Sequence, residues 1–225
     1  LFRSTSNRRL REFLLTPLFL LFSLSLFSHQ IPGFDNMKFF DAVRFSEHSL
    51  PFTTYLNVDK PFVGLFLLIF GGVPRSSSLR ETVSIIKNIL PITAALLLVV
   101  VPTAWVADYV AFDPKFPVGA WVWILNNLLV VCVAEETLFR GFIQKRLSQV
   151  LSTQKKGPWL AIVLTAILFG LVHFRGGVGY VGLSSLAGLF YGYAFHKTQR
   201  IEGAIGVHFL LNMVHFVFFT YPALA

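Results

Sequence analysis

The sequence predicts an all-α fold, a polytopic bundle of about seven transmembrane helices, and three observations carry that prediction. Hydrophobic residues make up 55% of the chain and charged residues only 13%, against about 25% charged in a soluble domain. Mean hydropathy is +0.67. The apolar residues gather in runs at about 13–28, 59–73, 89–107, 116–142, 158–175, 178–196 and 201–220, and about 20 such residues suffice to cross a bilayer as a helix.

Each run is justified in turn. Arg3, Arg8, Arg9 and Arg11 precede Phe13 to Phe27 as in a secretory signal, but Ser28-His29-Gln30 is a poor cleavage site, so the run is read as a retained span. Residue 1 is Leu rather than Met, so the N-terminus is not taken as complete. The second run is the shortest. Pro74-Arg75-Ser76-Ser77-Ser78 separates it from the third, and Ser152-Thr153-Gln154-Lys155-Lys156-Gly157 separates the fourth from the fifth; both are turn-forming and polar. In the sixth, Ser184, Gly188 and Gly192 recur every four residues, a small-residue stripe for close helix packing. Trp105, Trp121 and Trp123 fall near span ends, where their rings suit the membrane interface. Asn126 and Asn127, inside the fourth span, are expected to bond neighbouring helices.

Spans and short connectors use nearly all 225 residues, so residues 1–225 are read as a single membrane-embedded domain with no internal repeat. Of the 19 Lys and Arg residues, 14 fall on the side of the N-terminus and 5 on the other. The positive-inside rule then puts the N-terminus in the cytoplasm and the C-terminus on the far side. This clustering between apolar runs also accounts for the net charge of +8, and no nucleic-acid partner is expected. Cys132 is the only cysteine, which excludes an intrachain disulfide and a thiolate zinc cluster.

Nine of the 11 Asp and Glu residues lie in connectors or at span edges, but Glu135 and Glu136 sit side by side within the fourth span. An ionisable group at membrane depth costs about 3 kcal/mol or more and usually faces a protein interior or a watery cavity with a task to perform. Neighbours on a helix point about 100° apart, so the two carboxylates serve different ends. Glu136 precedes Arg140 by four and is read as its structural partner. Glu135, with no local cation, is read as the base. His173 follows Phe169 by four in the fifth run and Asn212 follows His208 by four in the seventh, each pair on one helix face. A carboxylate with a histidine can deprotonate water, and a histidine with a carboxamide can stabilise an oxyanion.

Glu135-Glu136-Thr-Leu-Phe-Arg140, Phe169-Gly-Leu-Val-His173 and His208-Phe-Leu-Leu-Asn212, in that order, resemble the CPBP family of intramembrane proteases, which includes CAAX prenyl endopeptidases and bacteriocin-processing relatives. The motif-bearing core covers about 116–220. The resemblance implies that Glu135 is the water-activating carboxylate, His173 its partner, and His208 and Asn212 the transition-state stabilisers. His215, seven residues after His208, is outside the family pattern and is read as packing. Family members have been described as metalloproteases and as glutamate-dependent proteases. No cofactor is favoured here; if a divalent metal such as zinc were used, Glu135, His173 and His208 would be its ligands.

The resulting expectation is an endopeptidase with a polar cavity between spans four, five and seven, cutting a peptide bond near the membrane. Its partner is a peptide or protein, prenylated or bearing a leader or sorting tail, in the presence of membrane lipid. A bacterial inner membrane is the first location expected, a eukaryotic endomembrane the second. The rival readings are a non-catalytic membrane scaffold or immunity protein and a proton-coupled transporter, which would use the same buried carboxylate and histidines.

Overall fold

The computed structural model describes residues 17–225. The arginines before Phe13, and the beginning of the first span, lie outside the described residues. Seven helices follow in order: α1 (Pro17–Phe27), α2 (Lys60–Phe70), α3 (Leu79–Val106), α4 (Ala120–Val150), α5 (Gly157–Leu171), α6 (Gly177–Thr198) and α7 (Ile201–Phe218). Four of them, α3, α4, α6 and α7, are long and apolar enough to cross a membrane.

The seven-span count is therefore not established by helix length. The 11 residues of α2 and the 15 of α5 reach only about 16 and 22 Å at 1.5 Å per residue, short of a hydrocarbon core about 30 Å thick. Local chemistry sets these bounds. Asp59 caps α2 through its side chain with Pro61 just inside, and Gly72 beyond its end has φ +61°. The third helix starts ten residues before its apolar run, because Ser78 caps it by accepting from the Glu81 N–H at 3.2 Å and the Glu81 carboxylate accepts from the Ser77 N–H at 2.8 Å.

The all-α expectation needs one correction. Within the connector after α1, β1 (Met37–Val43) pairs antiparallel with β2 (Phe52–Leu56), in a register running from Met37 opposite Leu56 to Val43 opposite Phe52 with two irregularities between. Aromatic and β-branched residues dominate these segments and suit a half-buried pleat. Phe40 of this hairpin packs with Trp123 and Phe216, so the ribbon caps the end of the bundle where α4 begins and α7 finishes. Trp123 belongs to that core rather than to an interface. It is 3% exposed, stacks on Phe216 at 4.0 Å and donates to the Tyr221 hydroxyl at 3.1 Å. Trp105 and Trp121 are exposed.

The main core runs through the helices, where α6 packs on α3, α5 and α7 while α2 covers the middle of α4. The small-residue stripe of α6 has a specific use: Arg140 donates to the Gly188 carbonyl at 3.1 Å and Gln144 to the Gly192 carbonyl at 2.9 Å. A Cβ on Gly188 would lie 3.1 Å from Arg140 Nη2 and 3.2 Å from Ala166 Cα, a tight contact that α4 and α5 would have to yield to by a few tenths of an ångström.

Candidate active site

The fourth helix departs from regular α geometry on both sides of the glutamates. Asn127–Cys132 and Thr137–Gln144 are π-helical, and only Val133–Glu136 between them is α-helical. A π turn adds a residue per hydrogen-bonded ring and re-aims the side chains around it, an irregularity common at functional sites. Here it leaves Glu136, Thr137 and Arg140 wholly buried in line.

Glu136 Oε1 receives two donors, Arg140 Nη1 at 3.0 Å and His208 Nδ1 at 2.8 Å. All three side chains are buried, and Arg140 also lies over the Phe169 ring at 4.4 Å and the Tyr191 ring at 5.1 Å. Pairing to Glu136, the Gly188 carbonyl and two aromatic faces compensates a guanidinium that would otherwise be costly to bury. Tyr191 stacks on His208 at 4.5 Å and 14°. The histidine ring is thus fixed by a carboxylate at its edge and a phenol on its face.

His173 stands just past the end of α5, not within a helix. It donates from Nδ1 to the Phe169 carbonyl at 2.7 Å, satisfying one of the orphan acceptors of a helix C-terminus. A carbonyl only accepts, so the Nδ1 of His173 carries the proton and its Nε2 is the free acceptor in the neutral ring. Asn212 donates to Asn127 Oδ1 at 3.2 Å, and Cys132 donates to the same oxygen at 3.4 Å.

His173, His208 and Asn212 share one cavity of about 110 Å³, bounded by α3, α5, α6, α7 and the segment after α7. Of the expected walls, α5 and α7 are present, but α3 and α6 stand in place of α4, which supplies the carboxylate behind His208 instead of lining the space. Tyr180, Ser184 and Tyr191 of α6 line it as well, with Tyr109 from the connector after α3. The sequence reading missed this polar face, although Ser184 and Tyr191 are seven apart and so fall together on a helix. His215 lines the same cavity and donates from Nε2 to the Thr220 carbonyl at 3.2 Å.

Glu135 is half-buried, does not line this cavity, and makes no side-chain hydrogen bond among the described residues. The three side chains of the zinc alternative, Glu135, His173 and His208, do not converge: among the described residues no three His, Cys, Asp or Glu groups could hold a metal ion.

Residues 117–214 match the family described as type II CAAX prenyl endopeptidase Rce1-like. A protein of Bacillus subtilis (strain 168), described as uncharacterized protein YyaK, is 30% identical over 116 residues, covering 47% of this chain and 38% of that protein. The matched part therefore spans well under half of that relative's length. No solved structure matches.

Proposed function

We propose that the chain, whose residues 117–214 match the Rce1-like family of type II CAAX prenyl endopeptidases, is a CPBP-type intramembrane endopeptidase hydrolysing a peptide bond near the membrane. The observation that carries the reading is the meeting of His173, from the end of α5, with His208 and Asn212 of α7 on one cavity, all three residues falling within the matched span. Glu135, turned from its present half-buried position toward His173, takes a proton from water. The hydroxide attacks the scissile carbonyl, His208 and Asn212 donate to the oxyanion, and the C–N bond breaks as the proton passes to the leaving amine. For His208 to donate from Nε2 while Nδ1 remains on Glu136, the ring must carry both protons, with Glu136 as its counter-charge. Glu136 with Arg140 holds α4 in place.

A farnesylated peptide ending in a CAAX sequence is the first substrate to try on purified protein in detergent, followed by leader-bearing and tail-bearing peptides. Cleavage is expected, with none in Glu135→Gln or His173→Ala protein that remains folded. Failure on all three classes would favour the scaffold reading, and proton flux in liposomes without cleavage would favour the transporter.

A further inference from the structure

Away from the histidines, a second recess of about 330 Å³ opens between α3 and α6. Its two walls carry the same order of chemistry. On α3, Lys87 and Asn88 lead to Pro91, Ile92 and Ala95; on α6, read backwards, Lys197 leads to Tyr193 and Phe190. The start of α3 and the end of α6 lie at the same end of the bundle, since Arg200 pairs with Glu81 at 2.6 Å and the Ile201 N–H donates to the Pro74 carbonyl at 2.9 Å. The two lysines therefore form one rim. From Lys87 to Ala95 is about 12 Å of helix, and from Lys197 to Phe190 about 10 Å, at 1.5 Å per residue. An interfacial layer is only about 5 to 8 Å deep, so the floor of the groove lies at the level of acyl chains.

Trp159 fixes the depth of the rim independently. It is 54% exposed at the start of α5, stacks on Tyr193 at 5.8 Å and 14°, and sits against His196 at 5.8 Å. An exposed indole at the end of an apolar helix belongs at the membrane interface. The rim is also electrostatically open. Lys87 and Lys197 are exposed and, among the described residues, form no ion pair, whereas at this end Glu81 is paired with Arg200 and Glu202 accepts from the Ser76 N–H through Oε1, its Oε2 being buried away from the rim solvent. Pro91 lacks an N–H, so the Lys87 carbonyl loses its helical donor at the rim.

We propose that this groove binds an anionic phospholipid, with its phosphate between Lys87 and Lys197 and an acyl chain against Pro91, Ile92, Ala95 and Phe190. On the topology expected from the positive-inside rule this is the cytoplasmic end, where anionic lipid attracts basic residues. Each lysine contributes about a fivefold preference for an anionic headgroup, so about thirtyfold together.

The full chain in a neutral detergent can be titrated with dioctanoyl phosphatidylglycerol, dioctanoyl phosphatidylcholine and glycerol phosphate, following thermal unfolding. Phosphatidylglycerol is expected to bind about thirtyfold more tightly than phosphatidylcholine. The preference should vanish in K87Q/K197Q, persist in K87R/K197R, and both lipids should weaken in A95W, which fills the floor. Equal affinity for the two lipids, an unchanged preference in K87Q/K197Q, or glycerol phosphate binding as tightly as the lipid would each overturn the proposal. If K87Q/K197Q does not fold, K197Q alone decides, with about a fivefold loss expected.

Discussion

His208 Nδ1 lies 2.8 Å from Glu136 Oε1, the same oxygen that accepts from Arg140 Nη1 at 3.0 Å. One carboxylate oxygen thus joins α4 to α7 and orients a cavity-lining imidazole, while Glu136 Oε2 is buried without a hydrogen-bond partner among the described residues. The second glutamate is more than half of a structural pair, because it sets which nitrogen of His208 faces the cavity.

This linkage is open to a double-mutant cycle. Glu136→Gln leaves the buried Arg140 without its counter-charge, and breaking a buried pair from one side costs about 3 to 5 kcal/mol. A marked fall in melting temperature and in membrane accumulation is expected. His208→Gln should cost less, and the two changes together should depart from additivity by about 1 to 3 kcal/mol. Additive effects would mean that the 2.8 Å contact carries no energy.

The adjacent glutamate is expected to behave differently. Glu135 is half-buried and without a hydrogen-bond partner among the described residues, so Glu135→Gln should leave the melting temperature almost unchanged while removing the base. Loss of a general base commonly lowers the rate by about 100- to 10,000-fold. Full cleavage by the Gln variant would show that the carboxylate next door, or another group, activates the water.

Much of this was legible in the sequence because membrane depth makes charge conspicuous: Glu135, Glu136 and Arg140 stand out in an apolar run, and His173, His208 and Asn212 follow at helical spacing. What was not legible depends on geometry that spacing does not encode. Two π-helical stretches rotate α4, so an ideal 100° step does not say which glutamate meets His208. His173 reads as helical by its distance from Phe169, yet the helix stops at Leu171 and the same i,i+4 relation is a cap. The hairpin was hidden in a connector, since Met37–Val43 has no clean alternation.

The glycines of α6 separate close packing from mere flexibility. Gly188→Val would press on Ala166 and on the Arg140 guanidinium, and overfilling a tight contact costs about 1 to 3 kcal/mol. A Cβ on Gly182 would meet nothing within 4 Å, so Gly182→Ala should be neutral or stabilise the helix by about 0.5 to 1 kcal/mol. Thermal unfolding of the two variants in detergent checks the contrast, and equal effects would remove the special role of the stripe.

Acid should loosen the connector between α3 and α4. Burial acts to raise the Asp113 carboxyl, but the Ser46 hydroxyl, the Lys115 ammonium and the charge of His48 outweigh it and hold the group below the usual aspartate range. A depressed carboxylate contributes stability that is present above its unfolded value, about 3.9, and is lost as pH falls through the folded value. Lys115 lies 3.1 Å from Asp113 Oδ2 and also donates to the Phe219 carbonyl, so protonation frees the cation that ties this connector to the end of α7. Asp113→Asn should flatten the acid limb of a melting-temperature profile below about pH 4 and cost under about 1 kcal/mol at neutral pH.

Metal removal tests the chemistry of the cavity most directly. Catalytic zinc draws three protein ligands to within about 2.0 to 2.3 Å of the ion and keeps a fourth position for water. The ligands available here would be Glu135, His173 and His208; the Nδ1 bonds of His208 to Glu136 and of His173 to the Phe169 carbonyl leave each Nε2 free in the cavity they share, but Glu135 does not line it. Among the described residues these three do not form a group that could hold a metal ion. Direct use of the carboxylate with one histidine needs no third ligand. Purified protein is therefore expected to contain substoichiometric metal and to keep its cleavage of the CAAX peptide after prolonged dialysis against a strong chelator. Stoichiometric zinc, with activity lost on its removal and restored on its return, would overturn the glutamate mechanism and make the same three residues ligands.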